Sequence, residues 1–377
     1  MDKAETSARK LSADDARRFT ATYRVASAAA DIEKRARAIA TEQSVEMPVE
    51  AIRDAQIVED IVGRVESIDA DGPGHFRVRI GLAVETTGLE AGQLLNMAFG
   101  NTSLQPDVEL LKVDLPDRLV EAFGGPRFGI EGIRTLVGAF GRALTCTALK
   151  PQGLAPEALA KLAATFARAG IDVIKDDHGI ADQSYAPFAA RVGAVQRAVT
   201  AANRETGGRT AYAPTISGSP STIVRQARIA HEEGAGMVLF APMLAGIPVL
   251  HELVRDHLKV PVLAHPAFAG ALRIAPSLLL GKMFRIFGAD AVIFPNHGGR
   301  FSYSPATCRG IANCLRADIR GTRAALPVPA GGMSVERVAE MLEFYGEDAM
   351  LLIGGALLAA GDRMPAACRE FVAKVRQ

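Results

Sequence analysis

Short apolar runs return eight times between residues 143 and 355, and that recurrence limits what the chain can become. The runs are 143–150, 172–177, 211–217, 236–242, 260–266, 290–296, 327–332 and 349–355. Each is too short for a helix, and a run without polar alternation suits a strand covered on both faces, as in a parallel sheet. Between them lie stretches with apolar residues at helical spacing, among them 156–169, 221–233, 276–287, 334–344 and 364–375. Eight strand and helix pairs over about 235 residues match a (β/α)8 barrel. An open doubly wound sheet also uses such units, but it rarely needs eight strands, and no Gly-x-Gly-x-x-Gly follows the first run.

Ahead of the barrel the rhythm differs. Residues 1–15 are small and polar and read as a loose arm. Residues 16–125 read as a smaller α+β domain. Its strand starts at Phe19, its helix covers 28–41 and cannot continue past Pro48, and two further strands over 55–67 and 75–84 flank the turn Asp71-Gly72-Pro73-Gly74. A further apolar run covers 94–99 and stops at Gly100-Asn101-Thr102. The link Gly124-Gly125-Pro126 then opens the barrel domain, 126–377.

Composition narrows the function classes. Of 377 residues, 49% are hydrophobic and 23% charged, enough apolar material for two cores. Lys+Arg number 43 against 42 Asp+Glu, a net charge of +1, so no overall field draws the chain to nucleic acid or an acidic membrane. Cys146, Cys308, Cys314 and Cys368 lack metal-type spacing, and Cys146 sits in an apolar run. A reduced, cytoplasmic protein is the expectation. The charged N-terminus has no apolar signal region, and no stretch nears the roughly 20 apolar residues of a membrane helix.

In a barrel, the residues just after each strand converge on one mouth, where such enzymes place their chemistry. The second run ends in Ile174-Lys175-Asp176-Asp177-His178. Strand alternation puts Lys175 and Asp177 on one face and Asp176 on the other, with His178 at the turn. A lysine, a carboxylate and an imidazole together suit metal or proton-transfer chemistry; a solvated loop after a strand is the other reading. Lys150 closes the first run ahead of Pro151, which favours an extended backbone and an amine aimed at the mouth. Burial and neighbouring cations would lower the pKa of such an amine and fit it for acid/base work on a carbonyl compound; capping a strand at the surface is its other reading. His265 and His297 suit proton donation, phosphate binding or a structural role alike. Gly331-Gly332 and Gly354-Gly355 follow the last two runs, where barrels of this kind cradle phosphate on bare backbone N–H groups; turns that only start the next helix are the other reading.

Several of these motifs, in order, resemble those of the ribulose-bisphosphate carboxylase (RuBisCO) superfamily, and more closely its non-carboxylating RuBisCO-like branch. Thr147-Ala148-Leu149-Lys150-Pro151 is similar to the family's Thr-Ile-Lys-Pro, and the stretch from Gly170 to Asp177 is similar to its metal motif Gly-Leu-Asp-Phe-Thr-Lys-Asp-Asp-Glu. Glu42-Gln43-Ser44 and Gly100-Asn101 resemble N-terminal positions that the family brings into a partner subunit's active site. The resemblance implies a carbamate formed from CO2 on Lys175, Mg2+ held there and by Asp177, and proton removal alpha to a ketone assisted by Lys150. It further implies phosphate on Gly331, Gly332, Gly354 and Gly355, and a homodimer in which Asn101 and Glu42 cross the interface.

The departures set what this chain does. His178 stands where the metal motif ends in glutamate, so Mg2+ is held more weakly, a softer divalent ion is favoured, or the metal is dispensable. Pro266 follows His265 where carboxylases use arginine for a second phosphate, Ile293 stands at the sixth-strand histidine position, and Arg300 takes roughly the place of the lysine that positions CO2. One phosphate cradle and one proton-abstracting lysine remain. The expectation is an enolate-type isomerase of a phosphorylated ketose, with 5-methylthioribulose 1-phosphate of sulfur salvage as substrate and with Lys150, Lys175, His265, His297 and Arg300 as reactive groups. A decarboxylase or hydrolase of a branched oxo-sugar-acid phosphate and a non-catalytic phosphometabolite-binding protein are the alternatives.

Overall fold

The computed structural model describes residues 17–301 and 303–377; the arm expected over 1–15 lies outside them. The chain forms two compact units, one of the residues up to Phe123 together with Leu272–Ala275, the other of Gly124–Ala271 and Pro276–Gln377.

In the first unit, β1 (Arg18–Ala26), β2 (Arg64–Ala70), β3 (His75–Ala83) and β4 (Val108–Asp114) form an antiparallel sheet in the order β2-β3-β1-β4. Phe19, Ala21, Tyr23 and Val25 alternate along β1 and are wholly buried, as period-two patterning requires. Tyr23 OH donates to Ala98 O at 2.6 Å and ties the sheet to the helix Ala91–Phe99. The apolar run 94–99 is the later part of that helix. The strand expected over 55–67 is corrected: Ala55–Asp60 is a helix whose N-cap Asp54 accepts from Gln56 N at 2.8 Å, and β2 begins only at Arg64. A local cap outweighed the β-branched Ile57-Val58 pair there.

The second unit is a (β/α)8 barrel. Its strands are β5 (Leu144–Leu149), β6 (Val173–Asp176), β7 (Ala211–Ala213), β8 (Val238–Phe240), β9 (Val262–Ala264), β10 (Ala291–Pro295), β11 (Leu326–Ala330) and β12 (Met350–Leu352). They pair in parallel as two four-stranded arcs, β12-β5-β6-β7 and β8-β9-β10-β11. Bonds from Met237 N to Tyr212 O and Leu239 N to Pro214 O join β7 to β8, and β11 packs beside β12. One apolar cluster takes residues from every strand, including Leu144, Val173, Ala213, Leu239, Leu263, Ile293, Val328 and Met350, as the filled interior of a closed ring should. Ile130, Ile133 and Val137 of the helix Gly129–Val137 join that cluster at its edge. No helix among the described residues is long and apolar enough to cross a membrane.

Candidate active site

Strand periodicity positions the reactive groups. Leu144 and Cys146 point into the barrel, so Ala148 and then Lys150, at even steps, face the same interior at its C-terminal mouth. On β6, Val173 points inward, and Lys175 and Asp177 follow it. Asp176 faces outward into a sealed layer, where its carboxylate accepts from Arg191 Nε at 3.1 Å, Tyr212 OH at 2.8 Å and Thr215 N at 3.0 Å. Arg191 and Asp176 are both 0% exposed, and Thr215 Oγ1 also donates to Asp177 O at 3.1 Å. This buried brace was not legible beforehand, except that alternation sent Asp176 away from the mouth.

At the mouth, Lys150 Nζ donates to Asp177 Oδ2. The other oxygen, Oδ1, accepts from Gly179 N at 3.0 Å and lies 3.1 Å from His178 Nδ1. The His178 ring stacks on His265 with centroids 4.2 Å apart and planes 9° from parallel. His265 Nδ1 accepts from Ala267 N at 3.1 Å, so the neutral ring carries its proton on Nε2. Burial, followed by Lys175, His178 and Lys150, pushes His265 down to about 2. Burial, then Lys175 and Lys150, also lowers His178. Lys175 is 4% exposed, donates to Asp176 O at 2.9 Å, and is brought to about 8 mainly by burial. Lys150 is half-buried and held below the ordinary lysine value by burial and then by the charge of Arg300. Three cationic side chains thus share a mouth with the carboxylate of Asp177, and the field there favours an anionic ligand.

The glycine pairs divide into two kinds. Gly354 and Gly355 are open: a Cβ on Gly354 would lie 3.8 Å from Ala148 Cβ and 3.9 Å from Lys150 Cε, and one on Gly355 would meet nothing within 4 Å. Gly331 and Gly332 have φ of +86° and +97° and lie under the loop 296–301. Arg300 N donates to Gly331 O at 2.8 Å, and a Cβ on Gly332 would lie 2.8 Å from Arg300 N. His297 packs its ring on Phe344, centroids 4.6 Å apart, and its Nε2 is enclosed without a hydrogen-bond partner. Its contacts are therefore with the helix Val338–Tyr345 rather than with the Lys150 and Asp177 group.

Residues 129–368 match the family described as ribulose bisphosphate carboxylase large chain, catalytic domain. The chain belongs to the RuBisCO family. Within it, the chain falls in the RuBisCO-like, non-carboxylating branch and is an enzyme of that branch. It is 54% identical to a 5-methylthioribulose-1-phosphate isomerase of Rhodospirillum rubrum, over 95% of this chain and 96% of that one. It is 34% identical to a 2,3-diketo-5-methylthiopentyl-1-phosphate enolase of Geobacillus thermodenitrificans, over 79% of this chain and 76% of that one. The crystal structure of a Rubisco-like protein from Rhodopseudomonas palustris superposes with a TM-score of 0.89 at 52% identity, covering 96% of this chain and 98% of that one.

Glu42 and Asn101, which the sequence resemblance singled out, lie in the first unit. Asn101 Nδ2 donates to Glu42 Oε1 at 2.9 Å and to Glu46 Oε1 at 3.2 Å. The neighbouring Gln43 is buried and locks the two segments, donating to Asn96 O and Met97 O at 3.0 and 2.8 Å and accepting from Thr102 N at 3.1 Å. The RuBisCO resemblance also implies a divalent cation, and the donor chemistry can be tested against it. Among the described residues, no three His, Cys, Asp or Glu side chains converge as an ion site. Asp177 and His178 alone would be two donors beside a cation; a carbamate on Lys175, whose amine burial brings down to about 8, would add a third. With that carbamate, the set fits a divalent ion tolerant of nitrogen better than it fits Mg2+.

Proposed function

We propose that this protein is an enolate-type isomerase of sulfur salvage that moves protons between carbons of 5-methylthioribulose 1-phosphate. The observation that carries this reading is the meeting of Lys150, Lys175 and Asp177 at one mouth, with the Lys150 stem against the open backbone of Gly354. A phosphate seated on Gly354-Gly355, with Gly331-Gly332 alongside, would leave the adjoining carbons within reach of the Lys150 amine. The names of the relatives support the substrate class, since the isomerase and the enolase both act on phosphate esters that carry a methylthio group.

In this reading Lys150 takes the proton alpha to the ketone once its amine is neutral, a state that burial and Arg300 both favour. Arg300 stabilises the negative charge that develops on oxygen. His265, neutral with its proton on Nε2, donates a hydrogen bond to a substrate oxygen. Lys175 as its carbamate, Asp177 and His178 would hold a divalent cation, which when bound polarises a ketone oxygen. Glu42 and Asn101 of a second copy would complete the site in a cytoplasmic homodimer. The loss of the carboxylases' arginine at Pro266 suits a substrate whose far end carries a thioether instead of a second phosphate.

The test is turnover of 5-methylthioribulose 1-phosphate in D2O followed by mass spectrometry. Deuterium at carbon-bound positions is the expected result, and recovered ketose with no label overturns the proposal.

A further inference from the structure

Arg300 sits on a loop, and a side chain on a loop acts reproducibly only if the loop is held. One attachment is the bond from Arg300 N to Gly331 O. The stem is fixed by Asn296, which is buried, accepts from Tyr345 OH at 2.6 Å and donates to His297 O at 3.0 Å. A further attachment comes from Arg337, just beyond the Gly331-Gly332 turn. Its Nη1 donates to Gly298 O and its Nη2 to His297 O, each at 3.2 Å. The same guanidinium meets Glu340 through Nε at 3.0 Å and Nη2 at 2.8 Å, a two-pronged contact that holds the fork in one orientation. Gly298 has φ +65°, and a Cβ there would stand 3.1 Å from Arg337 Nη2, so glycine lets the loop take its turn and lets the guanidinium close on it. An i,i+3 ion pair on a helix usually does local work. This one also spans two carbonyls of a loop that carries a mouth residue.

We propose that Arg337, oriented by Glu340, is a positioning residue that pins the carbonyls of His297 and Gly298 and thereby keeps Arg300 at the mouth beside Lys150. This rests on the isomerase reading only for the role of Arg300, since the holding of the loop can be measured without substrate.

The experiment is a double-mutant cycle on kcat/KM for 5-methylthioribulose 1-phosphate with R337A, R300A and the pair, beside R337K, E340Q and the rate of tryptic cleavage after Arg300. R337A should lower kcat/KM by roughly 10- to 100-fold, as expected for a misplaced group, with the melting temperature little changed. R337K should fall between, because a lysine keeps the charge but lacks the planar fork that meets Glu340 with two nitrogens while reaching both carbonyls. In the R300A background the R337A change should cost no more than about twofold. Cleavage after Arg300 should quicken at least about fivefold in R337A. Losses that multiply, or an unchanged cleavage rate, overturn the positioning role and leave the isomerase reading standing. Wild-type turnover by R300A removes the role given to Arg300 and with it the positioning role of Arg337, and leaves the isomerase reading standing. If R337A does not fold, R337K serves in the same cycle, and the same outcomes decide.

Discussion

Lys150, at the end of β5, donates to the carboxylate of Asp177, just past the end of β6. The contact holds the amine inside the mouth and gives it an anionic neighbour to exchange for a substrate. Replacing Lys150 by Met should remove the proton acceptor and leave the glycine backbone intact. Deuterium exchange into the ketose should drop by about 10² to 10⁴-fold, while calorimetric binding of the ketose phosphate persists within a few-fold. A K150M protein that still exchanges at the wild-type rate would remove Lys150 from the chemistry.

Lys175 makes a prediction about stability. Its folded pKa near 8 lies below the ordinary value of 10.5, so between those limits the unfolded chain binds more protons than the folded one. Stability therefore rises with pH across that window and is flat below it. Relative to K175M, the wild type should gain up to about 3 kcal/mol between pH 8 and 10.5. Urea unfolding in CO2-free buffer measures it, and parallel curves for the two proteins would contradict the buried amine.

His178 supplies nitrogen where an oxygen donor would suit magnesium better. H178E should tighten Mg2+ binding by about tenfold or more in the presence of CO2, and should reduce the preference for zinc or cobalt. Titration calorimetry of the two proteins decides this; equal affinities would place the ion, if any, away from residue 178.

The two glycine pairs should respond differently to alanine. Gly332 combines a φ of +97° with a Cβ position 2.8 Å from Arg300 N, so G332A should cost at least about 1 kcal/mol of stability and disturb the Arg300 loop. Gly355 has open space, so G355A should leave the melting temperature nearly unchanged and raise KM for the phosphate ester by about tenfold. Thermal melts and Michaelis plots read both. A G355A protein with unaltered KM would move the phosphate elsewhere.

All eight barrel strands were legible because a strand covered on both faces must be apolar throughout, and the sharing of one face by Lys175 and Asp177 follows from the two-residue repeat alone. The first unit was harder to read. Over 55–67 a short capped helix and a strand are separated by Ile61-Val62-Gly63 alone, and the β-branched residues on either side of that one glycine mask the change. Phe188–Thr206, a long helix, carries Arg191 toward Asp176, but an arginine among alanines gives no sign of which carboxylate it will meet. The stacking of His178 on His265 joins two separate strand ends, and only barrel closure fixes that distance. A glycine doublet likewise names a need for space without naming what fills it: the loop 296–301 occupies that space at Gly331-Gly332 and leaves it clear at Gly355.

The ring is built from two ladders, and the reactive groups are shared unequally between them. Lys150, Lys175 and Asp177 stand on or just beyond neighbouring rungs of the arc β12-β5-β6-β7, with Gly354 at the end of its edge strand, whereas His265, Arg300 and the Gly331 turn belong to the other arc. Any breathing of the cylinder along its seams would leave the spacing of the two lysines unaltered and change only how near Arg300 and His265 come to them. Proton abstraction would keep a fixed gauge, and the opposite half-ring would act as the adjustable jaw through which rate and selectivity are tuned.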